Sequence, residues 1–234
     1  MEWKKAHEIY KGFLIVLEGG DGSGKSSILS NLKRNTEELV KQHEINVIVT
    51  HEPGGTKISE EIRKILLNDY KENFDCFAEL FLYIASRRLH TINKIIPELK
   101  KGNIVLSSRY LDSTWAYQGF ARKINEICKE RYGIENIVDK LNYIATDKLV
   151  PDLTIYIDVY PEEALKRIDK KDRIEKESID FHKLVREGFL TLAKKYSDRI
   201  KVVDGNSKLE NVTMHCWNLI EEYLKKHLKG DKYV

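Results

Sequence analysis

The chain has no apolar run long enough to cross a membrane. The longest near its N-terminus, Phe13 to Leu17, is far short of the roughly 20 residues a spanning helix needs, and too short for the core of a signal peptide. No membrane partner is expected. Cysteine is scarce: Cys76, Cys128 and Cys216 are widely spaced, and none forms a CxxC pair. That excludes a disulfide scaffold and reads as three reduced thiols in a cytoplasmic protein. Proline is scarce too, four in 234 residues, and there is no repeat, low-complexity tract or Pro/Gly-rich linker. Residues 1–234 therefore read as a single domain. An excess of one charge is also missing. Forty basic side chains stand against 37 acidic, a net +3, so no global field points to nucleic acid.

Short apolar runs alternate with longer helical patterns. The strand candidates are Phe13–Glu18, Asn46–His51, Ile104–Ser107, Leu153–Val159 and Arg199–Val203. Several are apolar nearly throughout, as strands covered on both faces must be. Between them, Ile28, Leu29 and Leu32 open one amphipathic helix, and Ile62, Ile65 and Leu66 mark a second. Leu80, Tyr83, Ile84 and Arg87 line a third that runs to about Lys100, and Leu209–Leu228 is the last. Strand–helix alternation with right-handed crossovers predicts a three-layer α/β/α fold around a five-stranded parallel sheet. Ligands then sit beyond the carboxyl ends of the strands. The first eleven residues, MEWKKAHEIYK, read as a terminal extension without a motif.

Between the first strand and the first helix stands EGGDGSGKSS. Gly19, Gly20, Asp21, Gly22, Ser23, Gly24, Lys25 and Ser26 fit G-x-x-x-x-G-K-[ST], and Ser27 follows. The glycines let backbone N–H groups converge on phosphate oxygens, and the helix N-terminus adds its dipole. Lys25 is placed for the β- and γ-phosphates and the Ser26 hydroxyl for Mg2+. The pattern specifies a nucleoside triphosphate such as ATP but not the reaction. A GTPase needs a guanine-reading NKxD element, and TDKL and YIDV do not fit it. A motor ATPase usually carries an acidic pair after an apolar strand, where this chain has Ser108-Arg109. A small kinase remains.

Five further stretches narrow this. HEPGGTKISEEIRKILL (51–67), LYIASRR (82–88), SRYLDSTWAYQG (108–119), PDLTIYIDV (151–159) and DRIEKESIDFHKLVREGFLTLAKKY (172–196) follow the phosphate loop in order. With it, they resemble the thymidylate kinases over roughly residues 12 to 225. The resemblance implies a P-loop NTPase fold with a short mobile lid at about 164–179. It implies transfer of the γ-phosphoryl group of ATP to dTMP, giving dTDP, with Mg2+, in a cytosolic homodimer. It places the Glu52-Pro53 turn and Arg63 at the dTMP pocket. Tyr83 and Arg87, four apart on one helix face, fall where the family stacks and hydrogen-bonds thymine. Arg109 falls where the family binds the dTMP phosphate, Thr114 and Gln118 where it contacts the base, and Tyr117 where a ring packs on the sugar. Asp21 matches the acid that binds the 3′-hydroxyl.

Two subclasses differ in where the γ-phosphate meets its arginine. One carries it inside the phosphate loop, where this chain has Gly22. The other supplies it from the lid, and Lys166, Arg167, Lys170, Lys171 and Arg173 crowd that segment here. The chain resembles the second kind, with Arg167 and Arg173 as the expected catalytic cations beside Lys25 and Arg109. Two positions depart from the family pattern. Ser108 replaces the usual aspartate before Arg109, with Glu52 the nearest acid to compensate. His51 replaces the usual arginine before Glu52. Two other readings stay open on sequence: a kinase for another pyrimidine monophosphate, and a nucleotide-binding homologue without activity.

Overall fold

The structure, a computed structural model, describes residues 1–228; residues 229–234 of the expected single domain lie outside it. Its main sheet has five strands: β1 (Phe13–Gly19), β2 (Val47–His51), β3 (Ile104–Ser108), β4 (Leu153–Asp158) and β5 (Ile200–Asp204). All pairings are parallel, in the order β2-β3-β1-β4-β5. Every residue of the central strand β1 is buried, while edge strands β2 and β5 are only partly so. This is the burial that continuous apolar runs demand in a sheet covered on both faces.

The period of two along β1 sorts its side chains between two cores. Phe13, Ile15 and Leu17 pack with Ile28, Leu29 and Leu32 of helix α1 (Lys25–Leu39). Val212, Cys216, Ile220 and Leu224 of the last helix, Leu209–His227, complete that layer. Leu14 and Val16 face the other way, against Ile95, Leu99, Val105 and Tyr110. Burial pushes the Cys216 thiol up to about 12, so it acts as a core side chain and not a nucleophile.

Helix α2 (Lys57–Leu67) starts at Thr56, whose hydroxyl accepts the Ser59 N–H. Helix α3 (Cys76–His90) starts at Asp75, which caps Phe77 and Ala78. The pattern predicted for α3 does run to Lys100, but the helix winds wide over Thr91–Ile95 before Ile96–Lys100. Pro97 lacks the N–H that an ordinary turn needs there. Three longer helices, Ile124–Tyr132, Ile137–Ala145 and Ile179–Lys195, lie outside the helical patterns read from the sequence.

The chain order brings β1 between β3 and β4, and the crossovers reverse direction there. The register sets Leu17 and His51 both opposite Ser108. Three motifs therefore emerge side by side: the phosphate loop from β1, the Glu52 turn from β2 and Ser108-Arg109 from β3. That is the crevice in which doubly wound sheets bind ligands.

The first eleven residues, read as a terminal extension, pack against the rest of the fold. Lys4–Lys5 pairs in parallel with Leu149–Val150, and Ala6–Ile9 forms one helical turn whose Ala6 is fully buried. Buried Asp152 ties this turn to the sheet. One oxygen accepts the His7 N–H at 2.9 Å and lies 2.6 Å from His7 Nδ1; the other accepts the Leu14 N–H at 2.7 Å. The absence of a motif hid a tie made 145 residues along the chain. Asp152→Ala orphans the buried Leu14 N–H, at about 1–3 kcal/mol. A fall in Tm of roughly 2–10 °C is expected for a chain of this size, with turnover unchanged. A thermal melt within 1 °C of the natural protein would show the tie to be dispensable.

Candidate active site

Two joined cavities open at the carboxyl edge of the sheet. The larger, about 870 Å3, runs along the phosphate loop past Lys25, Ser26 and Ser27 and the ends of β2 and β3. The smaller, about 100 Å3, is lined by Tyr83, Thr114, Tyr117 and Gln118, with Asp172 and Ile174 of the lid. Asp21, Glu52, Arg63, Arg109 and Glu175 line both. A ligand spanning the two must pass these five side chains.

The loop is shaped by glycine where glycine is required. Gly24 caps α1 at φ +86°, and Gly22 sits at φ +75°. A Cβ on Gly22 would also fall 2.0 Å from the Ala164 carbonyl oxygen. No side chain fits at that point of the loop. Lys25 folds back on the loop, donating to the Gly19 and Gly20 carbonyls and the Ser23 hydroxyl at 3.1, 2.7 and 3.0 Å. Burial, and then the Arg109 charge, lower its ammonium to about 7 against the opposing pull of Asp21 and Glu18. Phosphate oxygens in the same place favour the charged form.

Arg109 stands at the junction of the cavities in the left-handed region, φ 69°. Its guanidinium pairs with Asp21, donates to Ser113 Oγ at 3.2 Å and to Tyr117 Oη at 3.2 Å, and lies 5.1 Å from the Tyr117 ring centre. Tyr117 in turn donates to Asp21 at 2.9 Å. Burial raises the Asp21 carboxyl, but Arg109, Lys25 and the Tyr117 hydroxyl outweigh it, and the group stays below its ordinary range. Beneath lies Glu18, fully buried, accepting the Tyr110 and Ser113 N–H groups and the Ser113 hydroxyl at 2.8, 3.1 and 2.6 Å. Burial and then Asp112 raise it to about 7, with Arg109, Ser113 and Tyr110 pulling the other way.

Arg87 and Glu52 lie deeper than the sequence suggested. Arg87, 2% exposed, donates to Glu52, Thr114, Asn142 and the Tyr110 carbonyl at 2.6–2.8 Å and does not line the smaller cavity. Four of its five donors thus hold protein atoms, which makes Arg87 a buried tie among three elements. Glu52 does line both cavities, but one oxygen accepts from Arg87 and the other meets His90 Nδ1 at 2.9 Å. It is not a free acid that could stand in for the one missing at Ser108. His51 lines the larger cavity and pairs with Glu60 at 3.0 Å. Burial, ahead of the raising pull of Glu60, lowers its pKa, so it enters the site neutral near pH 7.

A family model described as thymidylate kinase matches residues 17–215. This chain belongs to the thymidylate kinase family. Curated thymidylate kinases from Clostridium novyi (strain NT) and Ligilactobacillus salivarius (strain UCC118) are each 42% identical to it. The first match covers 86% of this chain and 95% of the relative, the second 92% and 100%. The solved structure of thymidylate kinase from Ehrlichia chaffeensis superposes with a TM-score of 0.68 at 32% identity, covering 89% of this chain and 98% of that one.

Set in a thymidylate kinase, most of the expected residues converge. Gly19 to Ser27 form the loop, and Asp21, Arg109 and Tyr117 form one bonded triangle. Arg63 donates to the Pro53 carbonyl at 2.9 Å, which ties α2 to the Glu52-Pro53 turn. Burial holds the Tyr83 phenol above its ordinary range, so the side chain lines the smaller cavity uncharged. The helix carrying Thr114 winds wide over Trp115–Ala121, with the Arg122 N–H reaching the Tyr117 carbonyl. That wider turn keeps Tyr117 and Gln118 both on the cavity.

The two lid arginines part company. Arg167 is exposed and lines the larger cavity. Arg173 lines neither: it is ion-paired with Glu79 at 2.8 Å, donates to the Leu66 carbonyl and lies 4.3 Å from the Phe74 ring centre. Of the two, only Arg167 lines the cavity along the phosphate loop. Sequence reading missed Glu18, Glu79, His90 and Asn142. For the first two a signal existed, a carboxylate in an otherwise apolar strand or helix face.

Lys25→Ala is expected to lower kcat at least about a hundredfold, the scale of removing a charge aimed at a transition state. A folded variant that keeps half its activity would refute this role. The lid pair separates in kinetics: Arg167→Ala lowers kcat roughly tenfold or more with KM for dTMP little changed, whereas Arg173→Ala raises that KM and lowers Tm. Identical profiles for the two variants would contradict the division seen here.

Proposed function

We propose that the chain transfers the γ-phosphoryl group of ATP to the phosphate of dTMP, giving dTDP, across the junction of the two cavities. The observation that carries this is Arg109, fixed between a phosphate-binding loop and a pocket of aromatic and amide side chains. ATP lies in the larger cavity with its phosphates on the N–H groups of the loop. Lys25 holds the β- and γ-oxygens. Arg167 comes from the lid, because the Ala164 backbone leaves no room for a side chain at position 22. The acceptor phosphate binds Arg109, whose planar fork suits two phosphate oxygens. Asp21 takes the sugar 3′-hydroxyl, Tyr117 packs under the sugar, and Tyr83, Thr114 and Gln118 hold the base. Reaction is then a matter of alignment and charge, as phosphoryl transfer generally is.

The donor set fits Mg2+. Among the described residues no cluster of three or more His, Cys, Asp or Glu side chains could hold a metal. An ion held by ATP phosphates, the Ser26 hydroxyl and water matches the coordination Mg2+ prefers. When bound, it neutralises charge on the β- and γ-oxygens. Free Cys76, Cys128 and Cys216 support a reducing, cytoplasmic setting. Ile58 and Ile65 on α2 and Phe81 on α3, 62%, 44% and 56% exposed, support a homodimer formed across these two helices.

A coupled ADP-release assay with ATP and dTMP, dUMP, dCMP and UMP tests the reading. Efficient turnover is expected for dTMP, with UMP slower by roughly tenfold or more because a 2′-hydroxyl meets the packed Tyr117 ring. Turnover favouring a different monophosphate, or none with any of the four, would overturn it.

A further inference from the structure

Gln118 is 2% exposed, and its amide has two ends that a base can tell apart. One end is committed. Nε2 donates to Glu79 Oε1 at 2.9 Å. Among the described residues no donor reaches Gln118 Oε1, and Gln118 lines the smaller cavity. The oxygen is therefore the end left for a ligand.

Glu79 can enforce this only as a carboxylate, which accepts and never donates. Its surroundings keep it so. It is 1% exposed, and burial pushes its pKa up, but Arg122, Gln118 and Arg173 outweigh burial and lower it overall. Arg122 donates to both oxygens at 3.2 and 3.1 Å, and Arg173 is ion-paired at 2.8 Å. Two guanidinium groups thus stabilise an anion in an otherwise apolar helix face, where an unpaired acid would be neutral.

We infer that Glu79 is a specificity-determining positioning residue: by holding the Gln118 amide with its oxygen toward the cavity, it selects a pyrimidine that carries a hydrogen on N3. Thymine and uracil present N3–H as a donor to that oxygen. Cytosine presents a bare N3 acceptor, and two acceptors face each other with both desolvated. A site built to receive a hydrogen bond rejects a ligand that cannot supply it, often by several powers of ten. The inference rests on the proposed use of dTMP as acceptor. It adds a residue that touches no substrate and acts through Gln118.

The test is the ratio of kcat/KM for dCMP to that for dTMP, measured on the natural protein, Glu79→Gln and Glu79→Asp. In Glu79→Gln the new amide can donate to Gln118 Oε1, which frees the flipped Nε2 to donate to cytosine N3. The ratio is expected to rise tenfold or more. Glu79→Asp retains a carboxylate and should keep the ratio within about threefold of the natural value. A loss of fold stability alone lowers both activities and leaves the ratio unmoved. If Glu79→Gln folds poorly with Arg122 unpaired, the double variant Glu79→Gln/Arg122→Gln removes the imbalance, and the same rise is expected. An unchanged ratio in whichever of these two folds overturns the inference. Its failure is distinct from failure of the functional reading: a natural protein inactive on dTMP sinks that reading, whereas one active on dTMP with unmoved variants sinks only the role of Glu79.

Discussion

The pairing of Asp21 with Arg109 holds the active site in one piece. Asp21 belongs to the loop after β1 and Arg109 to the turn after β3, and their contact ties the two where the cavities join. The arrangement is strained. A non-glycine residue in the left-handed region costs about 1–2 kcal/mol, and Arg109 sits at φ 69°. Glu18 offsets that cost by capping the next turn in trans, accepting the Tyr110 and Ser113 N–H groups. Strain is tolerated where the surroundings over-determine the conformation. Here a buried carboxylate, a serine and a tyrosine all do so.

The other buried arginines show the same logic at work away from the chemistry. Arg199 forks onto both oxygens of Asp112 at 2.7 Å. Arg87 joins the Glu52 turn, the Tyr110 turn and Asn142. Removing one partner of such a pair leaves an uncompensated charge, at several kcal/mol. Loops at the sheet edge are thereby anchored from below by buried ion pairs.

Much of this was legible in the sequence, and the boundary is physical. All five strands fall within a residue or two of the runs that predicted them, because burial leaves little choice of residue type in the central strands and the edge strands keep apolar runs on their covered faces. The phosphate loop was legible because its chemistry is contiguous, and Tyr117 and Gln118 because their neighbours carry a resemblance. What stayed hidden depends on partners distant along the chain. Nothing near Arg87 in the chain announces that Glu52, Thr114 and Asn142 occupy its donors. Arg173 reads as a phosphate ligand until Glu79, nearly a hundred positions earlier, takes its charge. The Lys4–Lys5 ladder and the His7 tie were invisible for the same reason, since a two-residue strand has no period.

The contact between Gly22 and Ala164 has a mutational consequence. Placing an arginine at position 22 and keeping the backbone at Ala164 where it stands are sterically incompatible, since even the first carbon of a side chain meets the Ala164 carbonyl. Any side chain at position 22 therefore requires the backbone at Ala164 to move. Glycine there lets the phosphate loop and that backbone lie side by side.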